Sequence, residues 1–350
     1  MSDDLPLSDL AVLAPNLKRR LSGVTSTIVR LVPIQADQIG IRATGPGLPA
    51  DVPQFPLARC FSLPRDRWRV WHARRNTEMA LGLILRRVFR RKFKLLFTSA
   101  AQRHHTGFTK HLIGQMDAVI ATTSKAASYL DRPATVIMHG VDTQVFQPAE
   151  DRTVLKSRLG LGEGPLIGCF GRIRHQKGTD VLIDALCEVL PEIPQAQAVI
   201  LGRALPKEQD FLDALKTQVS EAGLSDRIHF KGEVPWDQVV AHYKALDLYI
   251  APQRWEGFGL TPLEAMACGV PVLATPVGAF DEIIMPGQTG DILPIADVSA
   301  LESAMREWLG DPDALSAARP RCRAHVTENY AIEGEAARII AVYRELLATP

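Results

Sequence analysis

Two glycine-containing loops carry the residues best suited to chemistry, and each directly follows a predicted buried strand. The first is Gly171-Arg172-Ile173-Arg174-His175-Gln176-Lys177-Gly178, after the strand LIGCF and before a helix that begins near Thr179. A glycine turn at the carboxyl end of a strand lets backbone N–H groups face a ligand, and the next helix adds its positive end. Arg172 and Lys177 bring two cations to the same place, which suits a diphosphate without a metal ion. A solvated polar loop is the plainer alternative.

The second loop places two carboxylates seven residues apart, Glu256 and Glu264, after the strand DLYIAP. Gly257 and Gly259 permit close backbone approach to a ligand. The backbone amides that can meet sugar or phosphate oxygens belong to Phe258, Gly259, Leu260 and Thr261. Glu264, one turn into the following helix, can accept hydrogen bonds from vicinal hydroxyls such as those of a ribose. The alternative is a surface glutamate and a helix-capping glutamate.

Length and composition indicate a folded protein of two domains, since 350 residues exceed the usual size of a single core. Apolar residues make up 46% and charged residues 23%, as in ordinary globular proteins. The five cysteines are scattered and form no C-x-x-C pair, which argues against a disulfide framework or a zinc site and favours a reducing cytosol. The acidic start is unlike a signal peptide, and no uncharged apolar run approaches the ~18 residues of a spanning helix. We therefore expect a cytoplasmic protein that is not integral to a membrane.

The net charge of +1 hides a strongly basic segment. Residues 65–110 contain thirteen Lys/Arg and two acids, a local charge of +11. Within this segment the run Arg86–Lys94 interleaves cations with Val88, Phe89 and Phe93 at the end of an apolar helix. Such a run suits an anionic lipid surface. A merely solvated face is the alternative, and nucleic acid is disfavoured because no nucleic-acid fold signature accompanies the run.

The apolar pattern alternates short strands with amphipathic helices, which predicts parallel α/β layers. Predicted strands cover 10–14, 39–43, 69–72, 94–98, 118–121 and 135–138, with helices at 24–37 and 77–91. The alternation restarts with strands at 166–170, 198–201, 228–230, 248–251 and 270–274. We expect an α/β protein of two Rossmann-like doubly wound domains that face a cleft. The predicted boundaries are 1–147, 148–328 and a closing helix over 329–350 that packs back on the N-terminal domain.

The two loops, followed by A-M-A-C-G-x-P-V, resemble the retaining glycosyltransferases of the GT-B fold in family 4, the glycosyl transferases group 1. Residues 136–142 (VIMHGVD), 226–234 (DRIHFKGEV) and 287–290 (GQTG) resemble flanking motifs of that family. The resemblance is strong over residues 117–345 and loose over the first 115. It implies a metal-independent transfer, with no cofactor, from a nucleotide-sugar donor and with retention of the anomeric configuration.

Residue by residue, the resemblance implies catalytic roles for Arg172, Lys177 and Glu256. Arg172 and Lys177 would hold the donor diphosphate, Glu256 the sugar hydroxyls and Glu264 the ribose. The full donor-binding set is Gly171, Arg172, Lys177, Glu233, Val234, Glu256, Gly257, Phe258, Gly259, Leu260, Thr261 and Glu264. Glu233 and Val234 belong to it because the family's base-binding loop falls there.

The first domain supplies the candidate acceptor contacts. The segment K-R-R-L-S-G-V-T-S lies where the family has a glycine-rich loop, and Gly23 is its only glycine. Many relatives place a histidine or aspartate near the reacting carbon after the strand that reads KLLFTSA here; the candidates at this place are Ser99, Gln102 and Arg103, and the choice stays open. His72, Arg74 and Arg75 end another strand on the same side, where an acceptor contact and a structural role are both open.

The motifs V-W-H-A-R-R-N-T-E-M, F-T-S-A-A-Q-R and K-R-R-L-S-G-V-T-S-T-I-V are similar to a narrower group, the lipopolysaccharide core mannosyltransferases of alpha-proteobacteria. That similarity implies GDP-mannose as donor and the Kdo inner core of a lipid A precursor as acceptor. The partners would be this donor, an anionic lipid-linked saccharide and the anionic inner face of the cytoplasmic membrane, where the protein would be peripheral.

Other functions remain in competition at this stage. They are a glycosyltransferase with a UDP- or ADP-sugar donor or another acceptor, and a sugar-nucleotide epimerase of GT-B fold. A non-catalytic sugar- or lipid-binding protein is a third class. An NAD-dependent dehydrogenase is disfavoured because no G-x-G-x-x-G follows the first strand.

Overall fold

The structure is a computed structural model that describes residues 5–19 and 23–349. The chain divides into two compact units, one formed by Met1–His139 with Ile332–Pro350 and the other by Gly140–Ala331. Each unit contains one six-stranded sheet whose strands pair in parallel, with helices in the connections. The α/β class predicted from the alternating pattern is therefore confirmed.

The first unit follows a regular strand–helix order. Its elements are β1 (Val12–Pro15), α1 (Gly23–Ala36), β2 (Ile41–Thr44), β3 (Arg69–Ala73), α2 (Asn76–Arg87), β4 (Phe93–Ser99), α3 (Gly107–Gly114), β5 (Ala118–Ala121), α4 (Ser124–Ser128) and β6 (Thr135–Val136), with a 3₁₀ helix over Leu57–Ser62. The sheet order β2-β1-β3-β4-β5-β6 reverses direction between β1 and β3. The loops after these two strands therefore flank the place where doubly wound sheets bind ligands.

Two apolar cores cover the two faces of this sheet. Val12 and Ala14 of β1 face one core and Leu13 faces the other, as the two-residue period of a strand requires. The last helix of the chain, Ile332–Ala348, packs its apolar residues into the first of these cores beside α1. Its burial explains why the end of the chain belongs to the first unit.

The second unit repeats the architecture. Its elements are α5 (Arg152–Arg158), β7 (Leu166–Phe170), α6 (Thr179–Val189), β8 (Gln197–Leu201), α7 (Gln209–Glu221), β9 (Ile228–Gly232), α8 (Trp236–Ala245), β10 (Leu248–Ala251), α9 (Thr261–Ala267), β11 (Val272–Ala274), α10 (Phe280–Ile283), β12 (Gly290–Ile292), α11 (Val298–Gly310) and α12 (Pro312–Asn329), and the closing helix of the first unit is α13. Three 3₁₀ helices cover His175–Lys177, Leu190–Glu192 and Pro206–Glu208. The sheet order β12-β11-β10-β7-β8-β9 reverses between β7 and β10.

The start of β10 is fixed by a partly buried cluster of charges around Asp247. Its carboxylate accepts from Lys156 Nζ at 2.5 Å, from Arg319 Nη2 at 2.6 Å and from the Leu166 amide at 2.8 Å. Lys156 is only 5% exposed, so this ion pair has little competition from water. The cluster ties β10 to β7, and these are the two strands whose far ends carry the predicted site loops.

Comparison of the element boundaries shows where the local sequence pattern was sufficient to predict the secondary structure. Strands predicted at 118–121, 166–170 and 248–251 match β5, β7 and β10 residue for residue. The helix predicted over 77–91 ends at Arg87, and Arg90 beyond it adopts a left-handed conformation with φ of 52°. The strand predicted over 135–138 is limited to Thr135–Val136, and β12 was not predicted. None of the described helices has the length and apolarity that a membrane-spanning segment requires.

Candidate active site

The loops after β7 and β10 meet at the reversal of strand order in the second sheet, where a crevice opens in folds of this kind. Gly178, at the end of the first loop, has a φ of 69°. A Cβ added there would lie 1.9 Å from the carbonyl oxygen of Pro252 in the second loop. Only glycine permits this approach, and it brings the two predicted site loops together.

A bidentate ion pair joins the second loop to the start of α6, directly after the first loop. Arg254 donates to the two carboxylate oxygens of Asp180 at 2.7 and 2.8 Å and to the His175 carbonyl oxygen at 2.6 Å. Its backbone amide donates to the Gln176 carbonyl oxygen at 3.0 Å. Burial by itself would raise the pKa of Asp180, but the hydrogen bonds and charge of Arg254 outweigh burial and lower it. The carboxylate therefore stays ionised, and we call this pair the loop clamp.

The loop clamp places Lys177 against Glu256, two of the three predicted catalytic residues. Lys177 Nζ donates to Glu256 Oε2 in a short ion pair, and the two side chains are 19% and 21% exposed. Glu256 Oε1 accepts from the Gly257 amide at 3.0 Å. Gly259 has a φ of 85°, and a Cβ there would lie 2.9 Å from Glu256 Cγ and 2.3 Å from the Phe280 ring. The glycines in this loop therefore allow Glu256 to turn toward Lys177.

Arg172, the third predicted catalytic residue, stands apart from this pair. Its side chain is exposed and makes no hydrogen bond or ion pair with the described part of the chain. Gly171 beside it has a φ of 141°, and a Cβ there would meet nothing within 4 Å. Of the two predicted phosphate-binding cations of this loop, Lys177 is thus paired with a carboxylate, and Arg172 has no partner in the described chain and lies next to open space.

Glu264 lies in the first turn of α9, and a tyrosine hydroxyl holds its carboxylate. Tyr243 donates its hydroxyl to Glu264 Oε2 at 2.8 Å. Burial, and secondly the charge of Glu264, raise the pKa of Tyr243 well above its usual value, so the phenol remains a neutral donor. The Tyr243 ring packs against Phe170, with ring centroids 4.5 Å apart. One carboxylate oxygen of Glu264 is therefore held by a tyrosine whose ring is packed against Phe170.

Glu233 and Val234, the predicted base-binding residues, follow Gly232 at the end of β9. Glu233 pairs with Arg203 at 3.2 Å, and both side chains are more than half exposed. The Gly202 amide donates to the Gly232 carbonyl oxygen at 2.7 Å, which joins the ends of β8 and β9. An exposed pair of this kind contributes little to stability, and so both charges remain accessible to a ligand.

In the first unit, a buried carboxylate organises the predicted acceptor residues. Glu78 accepts from the Arg74 amide at 2.8 Å and from Arg75 Nη1 at 2.7 Å. The Arg75 guanidinium also donates to Asn16 Oδ1 and to Thr25 Oγ1, each at 3.0 Å. Only 11% of the Arg75 side chain is exposed. Arg75 therefore braces the loop after β1, and its contact with an acceptor stays a prediction.

The loop after β1 is itself described in part. Asn16 Nδ2 donates to the Lys18 carbonyl oxygen at 2.8 Å, and the Lys18 and Arg19 side chains are exposed. Gly23 is exposed and begins α1. The remaining members of the motif, Arg20, Leu21 and Ser22, lie outside the described residues.

His72 is completely buried, and both of its ring nitrogens have hydroxyl partners. Nδ1 lies 2.6 Å from Tyr343 Oη, and Nε2 lies 2.6 Å from Thr98 Oγ1. Burial, and secondly the charge of Arg74, lower the pKa of His72 well below its usual value. Arg74 is also buried and donates to the His72 carbonyl oxygen at 3.2 Å. These contacts tie β3 and β4 to α13, while an acceptor role for His72 and Arg74 stays a prediction.

The candidates after β4 differ in exposure. Ser99 is buried, and its Oγ lies 3.3 Å from His105 Nε2. Gln102 is half-buried, whereas Arg103 is exposed with no side-chain partner in the described chain. Burial, followed by the charges of Arg103 and Lys110, lowers the pKa of His105.

Four residues that the sequence reasoning did not single out have a part in these arrangements: Asp180, Arg254, Tyr243 and His105. Arg254 stands two positions before Glu256, and Asp180 stands three positions after Lys177. Proximity along the chain was the only signal, and it could not reveal a pairing across 74 positions.

The arrangement in the second unit is suited to a departing diphosphate. Arg172 and Lys177 are the cations of the first loop that could neutralise such a group, because preorganised charges stabilise a leaving group. Across residues 5–19 and 23–349, no three or more His, Cys, Asp or Glu side chains are grouped so that they could hold a metal ion. The chemistry that the site supports is group transfer from a diphosphate donor.

Comparisons with known proteins identify the family. Residues 151–325 match the glycosyl transferases group 1 family. The chain is 49% identical to the lipopolysaccharide core biosynthesis mannosyltransferase LpsB of Rhizobium meliloti, over 97% of this chain and 99% of the relative. It is likewise 49% identical to the lipopolysaccharide core biosynthesis mannosyltransferase LpcC of Rhizobium leguminosarum bv. viciae, over 97% of this chain and 98% of the relative. The chain belongs to the glycosyl transferases group 1 family and is a glycosyltransferase.

A solved structure agrees with the fold. The Anabaena protein Alr3699/HepE, crystallised in complex with UDP, superposes with a TM-score of 0.84 over 96% of this chain and 100% of that protein. The two sequences are 20% identical, so the likeness concerns the fold alone. It confirms the predicted GT-B class of two Rossmann-like domains.

The pairing of Lys177 with Glu256 generates a test of the site. We expect Lys177→Ala and Glu256→Ala each to lower kcat by about 10²–10³-fold, because a preorganised charge at the reacting group is lost. The double variant should be little worse than either single one, since residues that act as a unit are not additive. The measurement is steady-state kinetics with circular dichroism of each variant.

Lys216→Ala, which removes an exposed lysine from α7, is the matched control and should keep full activity. Near-normal kcat for folded Lys177→Ala would contradict the assignment of this loop to the diphosphate.

Proposed function

We propose that this enzyme transfers mannose from GDP-mannose to the Kdo inner core of a lipid A precursor, with retention, in the biosynthesis of the lipopolysaccharide core. The observation that carries the proposal is the Lys177–Glu256 pair on two loops that also present the exposed Arg172, at the strand reversal of a chain that is 49% identical over nearly full length to two lipopolysaccharide core mannosyltransferases. The similarity to these two relatives supports mannose as the sugar and the lipopolysaccharide core as the pathway. The charges of the two loops support a diphosphate donor.

The charges of the second unit support a nucleotide-sugar donor. A diphosphate would contact Arg172 in a forked arrangement and Lys177 as a point charge. Its arrival would let Glu256 share Lys177 with the phosphates and accept from hydroxyls of the sugar. Glu264, whose Oε2 is held by Tyr243, would bind the ribose, and Glu233 and Val234 would meet the base.

The remaining donor contacts would come from backbone amides. Gly171, Gly257, Phe258, Gly259, Leu260 and Thr261 lie on the same two loops. Because side-chain cations and backbone amides would neutralise the leaving group, the proposed reaction needs no metal ion or other cofactor.

The first unit supports an anionic acceptor. The Kdo carboxylate and the phosphates of lipid A are acidic groups that arginine recognises well. Arg103, Lys18 and Arg19 are exposed on the loops after β4 and β1, at the carboxyl edge of the sheet. Arg75 would act indirectly by bracing the loop after β1 through Asn16 and Thr25. The further candidate acceptor contacts are Arg74, His72, Ser99, Gln102 and Gly23.

A donor and acceptor screen tests the proposal directly. We expect release of GDP and an α-mannoside when GDP-mannose is supplied with a Kdo-bearing lipid A precursor, detected by mass spectrometry and by NMR of the anomeric carbon. The rate of mannose transfer should be unchanged when EDTA removes divalent metal ions. Use of a UDP- or ADP-sugar on a neutral acceptor, or epimerisation of a free nucleotide sugar, would replace the proposed substrates.

Arg103 offers a test of the acceptor side. We expect Arg103→Gln to raise the KM for the Kdo acceptor by about tenfold or more, because an arginine–carboxylate contact is worth ~1.5–3 kcal/mol. The KM for GDP-mannose should stay unchanged. Arg67→Gln, another exposed arginine of the first unit, is the control; an equal effect of both variants would argue against a specific contact.

We also propose that the enzyme is peripheral to the inner face of the cytoplasmic membrane, through a surface that we call the basic apolar patch. Its apolar members Ile84, Val88 and Phe89 are 44%, 69% and 36% exposed. Its cations are Arg87, Arg90 and Lys92, all exposed, whereas Arg86 is paired with Asp117 at 2.7 Å. The patch lies at the amino end of β4, about 20 Å from the carboxyl edge of the sheet by the length of the strand.

Vesicle sedimentation tests this attachment. We expect binding to phosphatidylglycerol vesicles that weakens in high salt, because each cation near an anionic surface contributes ~1 kcal/mol. The triple variant Arg87→Gln/Arg90→Gln/Lys92→Gln should lose most of it.

The matched control removes three exposed lysines of the second unit, Lys207→Gln, Lys216→Gln and Lys231→Gln. Equal binding to neutral phosphatidylcholine vesicles, or equal losses in the two triple variants, would contradict the patch.

A further inference from the structure

A cavity of about 250 Å³ opens beside the edge strand β2 of the first unit. We call it the Arg42 cavity. It is lined by two cations, Arg42 and Arg59, and by Leu5, Pro6, Leu7, Leu10, Gln54, Phe55 and Pro56. None of these described lining residues is acidic. The cavity therefore combines positive charge with apolar walls.

Arg42 forms the inner part of this cavity and is only 8% exposed. It is paired in register with Leu13, so it faces the same side of the sheet as that residue. Its Nη1 donates to the Ile41 carbonyl oxygen at 2.9 Å, and no described carboxylate forms an ion pair with it. A buried charge without a counter-ion is costly, and Arg42 is one of the residues that line the cavity.

Arg59 supplies a second guanidinium at the cavity mouth. It lies over the Phe55 ring, 5.4 Å from the ring centroid, which holds it against the wall. Arg59 is exposed and likewise has no carboxylate partner among the described residues. Two guanidinium groups without acids match a phosphate, whose several oxygens can accept from both.

The same short helix links the cavity to the basic apolar patch. Arg59 lies on the 3₁₀ helix Leu57–Ser62, and Phe61, two residues further on, packs edge to face against Phe89 of the patch at 4.9 Å between ring centroids. Arg65 Nη2 also donates to the Phe89 carbonyl oxygen at 3.2 Å. A lipid surface that contacts Phe89 would therefore lie near the cavity mouth.

We propose that the Arg42 cavity binds the phosphodiester of an anionic phospholipid headgroup, a proposal that rests on the membrane attachment proposed above. The phosphate is bound by Arg42 and Arg59, and the glycerol and first acyl carbons lie against Phe55, Leu5 and Leu7. The cavity thereby converts general attraction to a charged surface into recognition of one headgroup chemistry.

The test uses the whole protein and soluble probes. Isothermal titration with dihexanoylphosphatidylglycerol is expected to show one saturable site, with dihexanoylphosphatidylcholine and inorganic phosphate each at least tenfold weaker. Arg59→Gln should weaken the phosphatidylglycerol site about tenfold or more, since it removes charge-assisted hydrogen bonds. Arg42→Gln should do the same if its melting temperature shows that it folds.

Arg67→Gln removes an equal charge from the same unit outside the cavity and should bind as the wild type does. Equal losses in Arg59→Gln and Arg67→Gln, or no saturable binding, would overturn the proposal. Equal affinity for inorganic phosphate would overturn the lipid assignment. Turnover on a soluble acceptor should be unchanged in Arg59→Gln, so failure of this site and failure of the proposed transferase reaction are separate results.

Discussion

The loop clamp between Arg254 and Asp180 is the interaction on which the candidate active site depends. It joins the loop after β10 to the start of α6, and the close approach of Gly178 to Pro252 leaves no room for a side chain between the two site loops. With the loops held together, Lys177 and Glu256 form their ion pair. Because the clamp uses ionised groups in a partly buried place, its two hydrogen bonds are stronger than those between neutral groups.

The two units share one type of sheet topology, but their loops carry site residues of different kinds. Each sheet reverses its strand order once, and each reversal is flanked by loops that carry the predicted site residues. In the second unit these loops present charges to open space, with Arg172 as the clearest case. In the first unit the buried carboxylate of Glu78 binds Arg75, which is therefore largely buried. The exposed cations of this unit's loops include Arg103 and Lys18.

Membrane attachment and catalysis occupy opposite ends of the first sheet in the function proposed here. The basic apolar patch lies at the amino end of β4, while the acceptor candidates lie at its carboxyl end. Separation of this kind allows a protein to rest on an anionic surface without covering its own site. The Arg42 cavity is linked to the patch through the helix Leu57–Ser62 and would add headgroup recognition to it.

The sequence by itself determined the α/β class, most strand positions in the second unit, and the two loops that carry Arg172, Lys177, Glu256 and Glu264. It could do so because strand period and glycine turns are local signals. The tertiary structure alone decided which side chains are free: Arg75 is bound to Glu78, His72 is enclosed by Tyr343 and Thr98, and Arg172 is open. It also revealed the clamp across 74 positions, because pairing between distant residues depends on how strands are ordered in the sheet, and that order leaves no local trace in the chain.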